Sequence, residues 1–287
     1  MIEPPPQIEN FNWIWQKWLF GLYEWIKDNI MKNYGLEVAK GNVNGHTATN
    51  KFGAAPSGIQ TSATDIWARA DATPTQQVWL APTAARIHTI SSDSASDVAS
   101  GVGATSVTVW YLPDWSTAET SLTVAGNLNA GISMGVSAVM INRMKVNPQA
   151  SSTSANVGTI IATAATDTTI TAVILPGDGQ TEQAIVGIAS GYKAYLTRWH
   201  VGIDKTQGTA ASADFEIRMN PNPDVQTLAF IRKQDLAVQS TGANTVEKDF
   251  SALPPCYAGP AILKVTATAS SADLDGQSDF DIIIVAD

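Results

Sequence analysis

From residue 65 to residue 287 the apolar residues come in short runs interleaved with Thr, Ser and other small polar residues, and turn clusters cut each run from the next. The runs fall at 65–69, 77–80, 86–91, 106–112, 121–124, 139–146, 159–164 and 169–175. They continue at 182–188, 193–203, 214–219, 226–232, 245–250, 261–267 and 279–285. Val, Ile, Thr, Tyr and Trp fill them, while Pro113-Asp114, Pro176-Gly177-Asp178-Gly179 and Asp275-Gly276 separate them. Alternation at a period of two puts one face of each run in a core, which is the signature of a half-buried strand. No helix of useful length fits between the runs. The chain is therefore expected to be mostly β, with one or two tandem antiparallel β-sandwich or jelly-roll domains.

A faint internal echo favours two. Residues 76–81 resemble 182–187, residues 107–113 can be laid on 215–221, and 122–124 on 228–230, at offsets of 106 to 108. Two related sandwiches over 65–176 and 177–287, joined near the turn Pro176–Gln180, would produce this pattern. A single large sandwich would produce it too, because β-rich sequences align with one another easily.

The first sixty residues differ. Pro4-Pro5-Pro6 favours a stiff extended lead, and Asn10 or Asn12 can accept a bond from an orphaned N–H at a helix start. Phe11, Trp15, Trp18, Leu22, Trp25 and Ile26 then recur at three- and four-residue spacing, with Lys17, Gly21, Glu24 and Asp28 on the opposite stripe. The spacing predicts an amphipathic helix within residues 1–34, closed by Tyr34-Gly35. Lys17 and Glu24 interrupt it too early for a membrane span, and its polar face lacks the basic character of an interfacial membrane helix. Packing on the chain's own core would hide the apolar stripe. So would docking on another protein, where large rigid aromatics bury much area at low entropic cost. The docking reading names Phe11, Trp13, Trp15, Trp18, Leu22, Trp25 and Ile26 as partner-binding residues. Residues 35–64, rich in Gly, Asn and Thr and without a sustained period, read as an extended linker.

Charge divides the chain at the same place. Only 15% of residues are charged and the net charge is −9, against about 25% charged in an ordinary soluble domain. Residues 1–60 hold five basic and five acidic side chains, so the whole deficit lies in 61–287. An acidic surface does not release counterions from a nucleic acid, which excludes that partner class. Three His and a single Cys leave little material for catalysis. His88 lies near Ser91 and Asp93 but in an alternating strand without oxyanion signals; His200 reads as a strand-face residue. Cys256 has no cationic neighbour to activate it. The Asp273, Asp275, Gly276, Asp279 and Asp281 cluster departs from a calcium loop and lacks its closing Glu. Asp279 and Asp281 share one side of a strand, where their repulsion needs solvent or an ion between them. No catalytic residue, metal ligand or cofactor site is assigned, and a non-enzymatic chain is expected.

Several phrases carry a resemblance. Gly103–Val109 (GATSVTV), Met140–Val146 (MINRMKV), Asn156–Ile160 (NVGTI), Gly177–Glu182 (GDGQTE) and Gly191–Leu196 (GYKAYL) look like structural proteins of tailed bacteriophages. The opening Pro4-Pro5-Pro6-Gln7-Ile8-Glu9-Asn10-Phe11 with Trp18-Leu19 is similar to the short anchors of phage virion proteins. The resemblance covers most of the chain, in style and short phrases, and carries no active site. It implies a virion component, either a fibre or spike or a head decoration, with residues 1–34 bound to a capsid, portal or tail-adaptor protein. It further implies a homo-oligomer, a trimer in the fibre case, and contact with a host surface glycan. A carbohydrate-binding or glycan-cleaving module is the rival from another class. Few Lys and Arg for proteases to cut, and an acidic balance that limits sticking to a packaged genome, suit an exposed particle protein.

Overall fold

The computed structural model describes residues 13–26, 34–68, 77–147, 155–204, 211–224, 230–240, 243–271 and 274–287. Two helices come first, α1 (Trp13–Ile26) and α2 (Tyr34–Ala39), followed by strands β1 (His46–Ile59) and β2 (Thr64–Asp65). A compact run follows: β3 (Arg86–Ser92), β4 (Ser106–Leu112), β5 (Thr120–Ala125), β6 (Ile132–Ala138), β7 (Met140–Val146), β8 (Ile160–Ala164) and β9 (Ile170–Ile174). The remainder is β10 (Ile185–Ile188), β11 (Tyr192–Asp204), β12 (Ala211–Asn220), β13 (Ile231–Ser240), β14 (Asn244–Asp249), β15 (Cys256–Ala258), β16 (Ala261–Ala269) and β17 (Leu274–Ala286). The chain is mostly β, as its alternation requires, with several antiparallel sheets and few helices.

Among the described residues the strands form four sheets. One pair has the orders β1-β17-β11-β14, with β15 on β11, and β10-β16-β12-β13, with β2 on β16. The other pair has the orders β6-β3-β8-β9 and β5-β4-β7. Period-two burial drives each pairing. In β12, Ala211, Ala213, Phe215, Ile217 and Met219 point inward while Asp214, Glu216 and Arg218 do not. They meet Trp199, Phe280 and Ile282 of the facing sheet in one core. Val107, Val109, Ile141, Met144 and Ile160 build a second core between the other two sheets. Burying each such side chain contributes about 1.5–3 kcal/mol relative to leaving it in water. A third apolar cluster joins the two sandwiches, with Leu112, Met140 and Val173 from one side and Trp67, Ile185 and Ile262 from the other.

The chain path differs from two domains in tandem. The linker expected over 35–64 contains β1, which pairs with β17 from His46↔Val285 to Ile59↔Leu274, and its last residue opens β2, which pairs with β16. Strands β3 to β9 are thus an insertion within a sandwich whose remaining strands come from 46–65 and 185–286. β1 lacked a strand signal because Gly53, Ala55 and Gly58 occupy buried places where Val or Ile would mark the inward face. Gly53 has a packing reason. A methyl there would lie 2.6 Å from the Ala184 nitrogen and the Ile66 oxygen, so β1 can approach that backbone only without a side chain.

Other expected elements shift as well. Residues 77–80 are not a strand; the segment is held by the Trp79 amide on Asp65 Oδ2 (2.8 Å) and the Trp79 indole on the Thr171 carbonyl (2.9 Å). Tyr34-Gly35, expected to close the first helix, opens α2. The strand expected at 226–232 begins at Ile231 among the described residues. The echoed segments 107–113 and 215–221 do occupy like places: β4 lies between β5 and β7, and β12 between β13 and β16.

Candidate functional site

The helix α1 presents its apolar side chains to solvent. Trp15, Trp18 and Phe20 are each more than half exposed, and Leu19 and Leu22 are also exposed. Trp15 and Trp18, three residues apart and hence neighbours on one face, meet edge to face with ring centroids 5.9 Å apart. Phe20 and Tyr23 pair at 6.4 Å. Of the expected docking residues, Trp15, Trp18 and Leu22 therefore lie on an open stripe. Phe11 lies outside the described residues, as do the side chains of Trp13, Trp25 and Ile26. Leu19 and Phe20 extend the apolar surface around the helix, which the stripe reading missed because it looked for one face only.

The helix α2 is tied to the body. Val38 is buried, and Tyr34 packs edge to face on His46 at 6.0 Å at the start of β1. Glu37 accepts bonds from Lys40 (2.8 Å) and Asn42 (2.6 Å), which hold the turn between α2 and the strand.

The titratable residues singled out in the sequence do not converge. His88 is fully buried, with Nδ1 donating to the Arg86 carbonyl at 3.0 Å and Nε2 without a hydrogen-bond partner among the described residues. Asp93, its supposed triad partner, accepts the Thr159 amide at 2.8 Å. Burial lowers the His88 pKa from 6.5 to about 4, against the opposing pull of the Arg86 carbonyl and Asp167. In the unfolded chain this His takes a proton near pH 6.5, so below that value the unfolded state binds more protons and stability falls. The loss should reach about 3 kcal/mol between pH 6.5 and 4. Urea unfolding of wild type and His88→Leu across that range tests it; the same slope in both proteins refutes the assignment.

His200 lies on a polar ladder over the outer face of β11 and β17. Its Nδ1 is 2.8 Å from Asp279 Oδ2. Arg198 reaches Asp281 at 2.7 Å, Asp279 at 2.9 Å and Glu247 at 3.4 Å. The guanidinium supplies the charge that two carboxylates on one strand side require, so the pair forms a surface network and needs no metal to explain it. Asp273 lies outside the described residues. Among the described residues no group of three or more His, Cys, Asp and Glu is placed to hold a metal ion. Cys256 is exposed on β15.

A second polar cluster lies at the seam between the two sandwiches, and the sequence reading did not find it. Lys51 of β1 and Asn142 of β7 are both buried. Lys51 Nζ donates to the main-chain carbonyl of Asn142. The Asn142 carboxamide is fixed at both ends. Its Oδ1 accepts the Gly187 amide at 2.7 Å, and its Nδ2 donates to Glu119 Oε2 at 2.6 Å and to the Gly187 carbonyl at 3.3 Å. Gln183 Nε2 caps the Ile141 carbonyl at 2.9 Å. Burial lowers the Lys51 pKa from 10.5 to about 7, opposed by the charge of Glu119 and assisted by Arg143. A cavity of about 340 Å³ adjoins the cluster, lined by His46, Glu119, Asn142, Gly187 and Tyr192 among others. Two signals were present: Lys51 is the only Lys between positions 41 and 144, and Asn142 interrupts the apolar run Val139–Ile141.

No protein-family model and no curated protein matches the chain. Among solved structures it is similar to a structure of infectious bursal disease virus, Gx strain, at 10% identity and a TM-score of 0.23, covering 84% of this chain and 72% of that one. It is also similar to the VP2 subviral particle of the same virus, at 9% identity and a TM-score of 0.19, covering 84% of this chain and 72% of that one. Scores that low do not establish a shared fold.

Proposed function

We propose that the chain is a structural protein of a virion of the tailed-phage kind, with its sandwiches as a fibre- or spike-type projection and α1 as the anchor to another particle protein. The observation that carries this reading is the open apolar surface of α1. Trp15, Trp18, Leu19, Phe20 and Leu22 stand in solvent beside a body whose own cores are closed without them. Contiguous exposed apolar surface of this kind marks a contact site. A capsid, portal or tail-adaptor protein is the proposed partner, and a symmetric homo-oligomer, with a trimer favoured, is the proposed assembly. The body's surface, rich in uncharged polar residues and acidic in balance, suits repeated exposure outside a cell and contact with host glycans. The protein is proposed to turn over no substrate.

Deleting residues 1–34 should leave a soluble folded body that no longer enters particles. Normal incorporation of the truncated chain overturns the anchor. Copy number per particle separates a projection, present at a few sites, from a head decoration that covers the shell. Release of sugar from host polysaccharide by the purified body would instead show a glycan-cleaving module.

A further inference from the structure

We propose that Lys51 and Asn142 form an isopeptide cross-link, in which Lys51 Nζ replaces the Asn142 side-chain amide nitrogen and the two sandwiches become covalently joined. This goes beyond the virion reading and does not depend on it.

The seam holds each part that such a transfer requires. The nucleophile is an amine whose pKa burial lowers to about 7, so that a substantial share is neutral at neutral pH, the general means by which a Lys becomes reactive. It is held on the residue it would attack, by its bond to the Asn142 carbonyl. The electrophile is a carboxamide whose oxygen already accepts the Gly187 N–H at 2.7 Å. A preset main-chain donor at that oxygen stabilises the negative charge that develops as the carbon becomes tetrahedral. The proton carrier is Glu119, whose Oε2 lies 2.6 Å from the nitrogen that must leave.

The step balances without an outside reagent. A bond forms between Lys51 Nζ and Asn142 Cγ. Glu119 takes a proton from the attacking nitrogen and passes it to Nδ2, the Cγ–Nδ2 bond breaks, and ammonia departs. Nothing is oxidised or reduced, and Glu119 returns to its starting form. Glu119 is exposed on its outer side, and it lines the cavity with Asn142, so the ammonia has a route away. The fixed carboxamide orientation supports the assignment. Its oxygen faces an N–H and its nitrogen faces a carboxylate, so a flipped amide would oppose both partners. A simple polar seam needs neither a buried lone Lys nor a carboxylate on the leaving nitrogen; exchange of the amide needs both.

Intact mass of the purified full chain under denaturing conditions tests the proposal. Wild type, held folded at neutral to mildly alkaline pH, should weigh one ammonia less than its sequence. Trypsin should fail to cut at Lys51 and should yield peptide 41–69 joined to peptide 87–143. Lys51→Arg and, as a variant that leaves the buried amine in place, Glu119→Gln should each show the full mass and separate peptides while retaining a β-type circular dichroism spectrum. Full mass in wild type after prolonged incubation overturns the proposal. So does ammonia loss that persists in Lys51→Arg, because ring closure of an Asn on its own backbone would then account for it.

Discussion

Replacing Asp65 with Ala should lower the stability of the sandwich that contains it by about 3–5 kcal/mol, the range for removing one partner of a buried ion pair. Asp65 is 1% exposed and its carboxylate accepts three bonds: Lys264 Nζ at 2.6 Å, Thr266 Oγ1 at 2.7 Å and the Trp79 amide at 2.8 Å. Without it the Lys264 ammonium, itself 5% exposed, stays in the interior, where among the described residues the face of Phe230 at 4.2 Å remains to offset its charge. The Trp79 segment keeps the bond from the Asp65 amide to the Gln77 carbonyl (2.8 Å) but loses the carboxylate that holds the Trp79 amide, so the cluster between the sandwiches is loosened as well. A urea midpoint shift measures the loss. A cost under about 1 kcal/mol, the size found for exposed pairs, would show that water reaches the site. The double replacement Asp65→Leu with Lys264→Met should recover most of the loss, since apolar residues of similar volume often replace buried pairs without penalty.

Trp199→Ala should cost a similar amount, about 3–5 kcal/mol, through the cavity it leaves. Trp199 has no solvent exposure and lies directly across from Phe280 in the β11–β17 register. Its indole donates to Ser278 Oγ at 3.0 Å, and that hydroxyl donates onward to the His200 carbonyl at 3.1 Å. Trp199→Phe keeps most of the packing and gives up only the indole bond, so its cost should stay near that of one hydrogen bond, about 0.5–1.5 kcal/mol. Equal costs for the two substitutions would mean that the hydrogen bond, and not the ring volume, dominates at this position. Near-ultraviolet signals and amide exchange, followed together, assign the loss to one sandwich or to both.

The β class was legible because the inward residues of most strands are large and branched. Ser106–Leu112, with Val107, Val109 and Tyr111 inside, reads directly as the strand it forms. The chain path was not legible. Period two identifies a strand but contains no information about its partner, so a strand at 46–59 that pairs with 274–286 looks like any local segment. Small inward residues concealed β1, whereas Ile132–Ala138 alternates, with Met134 and Ala138 inside and Ser133, Gly135 and Ser137 outside, and was legible but missed. The apolar stripe on α1 was readable from three- and four-residue spacing, whereas the buried seam was not. Lys51, Glu119 and Asn142 come from three separate regions of sequence, and their roles arise only when the two sandwiches close on each other. An isolated Lys in a neutral stretch reads as a solvent-facing charge unless its neighbours are known.

The enclosure of β3 to β9 within the other sandwich imposes an order of events during synthesis. The inserted strands are contiguous and can complete their core as soon as they leave the ribosome. β1 is made first but must wait for β17, more than two hundred residues later. At about 5–20 residues per second that delay is on the order of ten seconds or more. Throughout it β1 is an unpaired edge, the kind of surface that recruits neighbouring chains. Its sequence, HTATNKFGAAPSGI, meets that hazard with few branched apolar residues, a Lys and a Pro. The composition that hides β1 from a strand search also keeps the nascent chain from sticking to its copies while the partner strand is still being made.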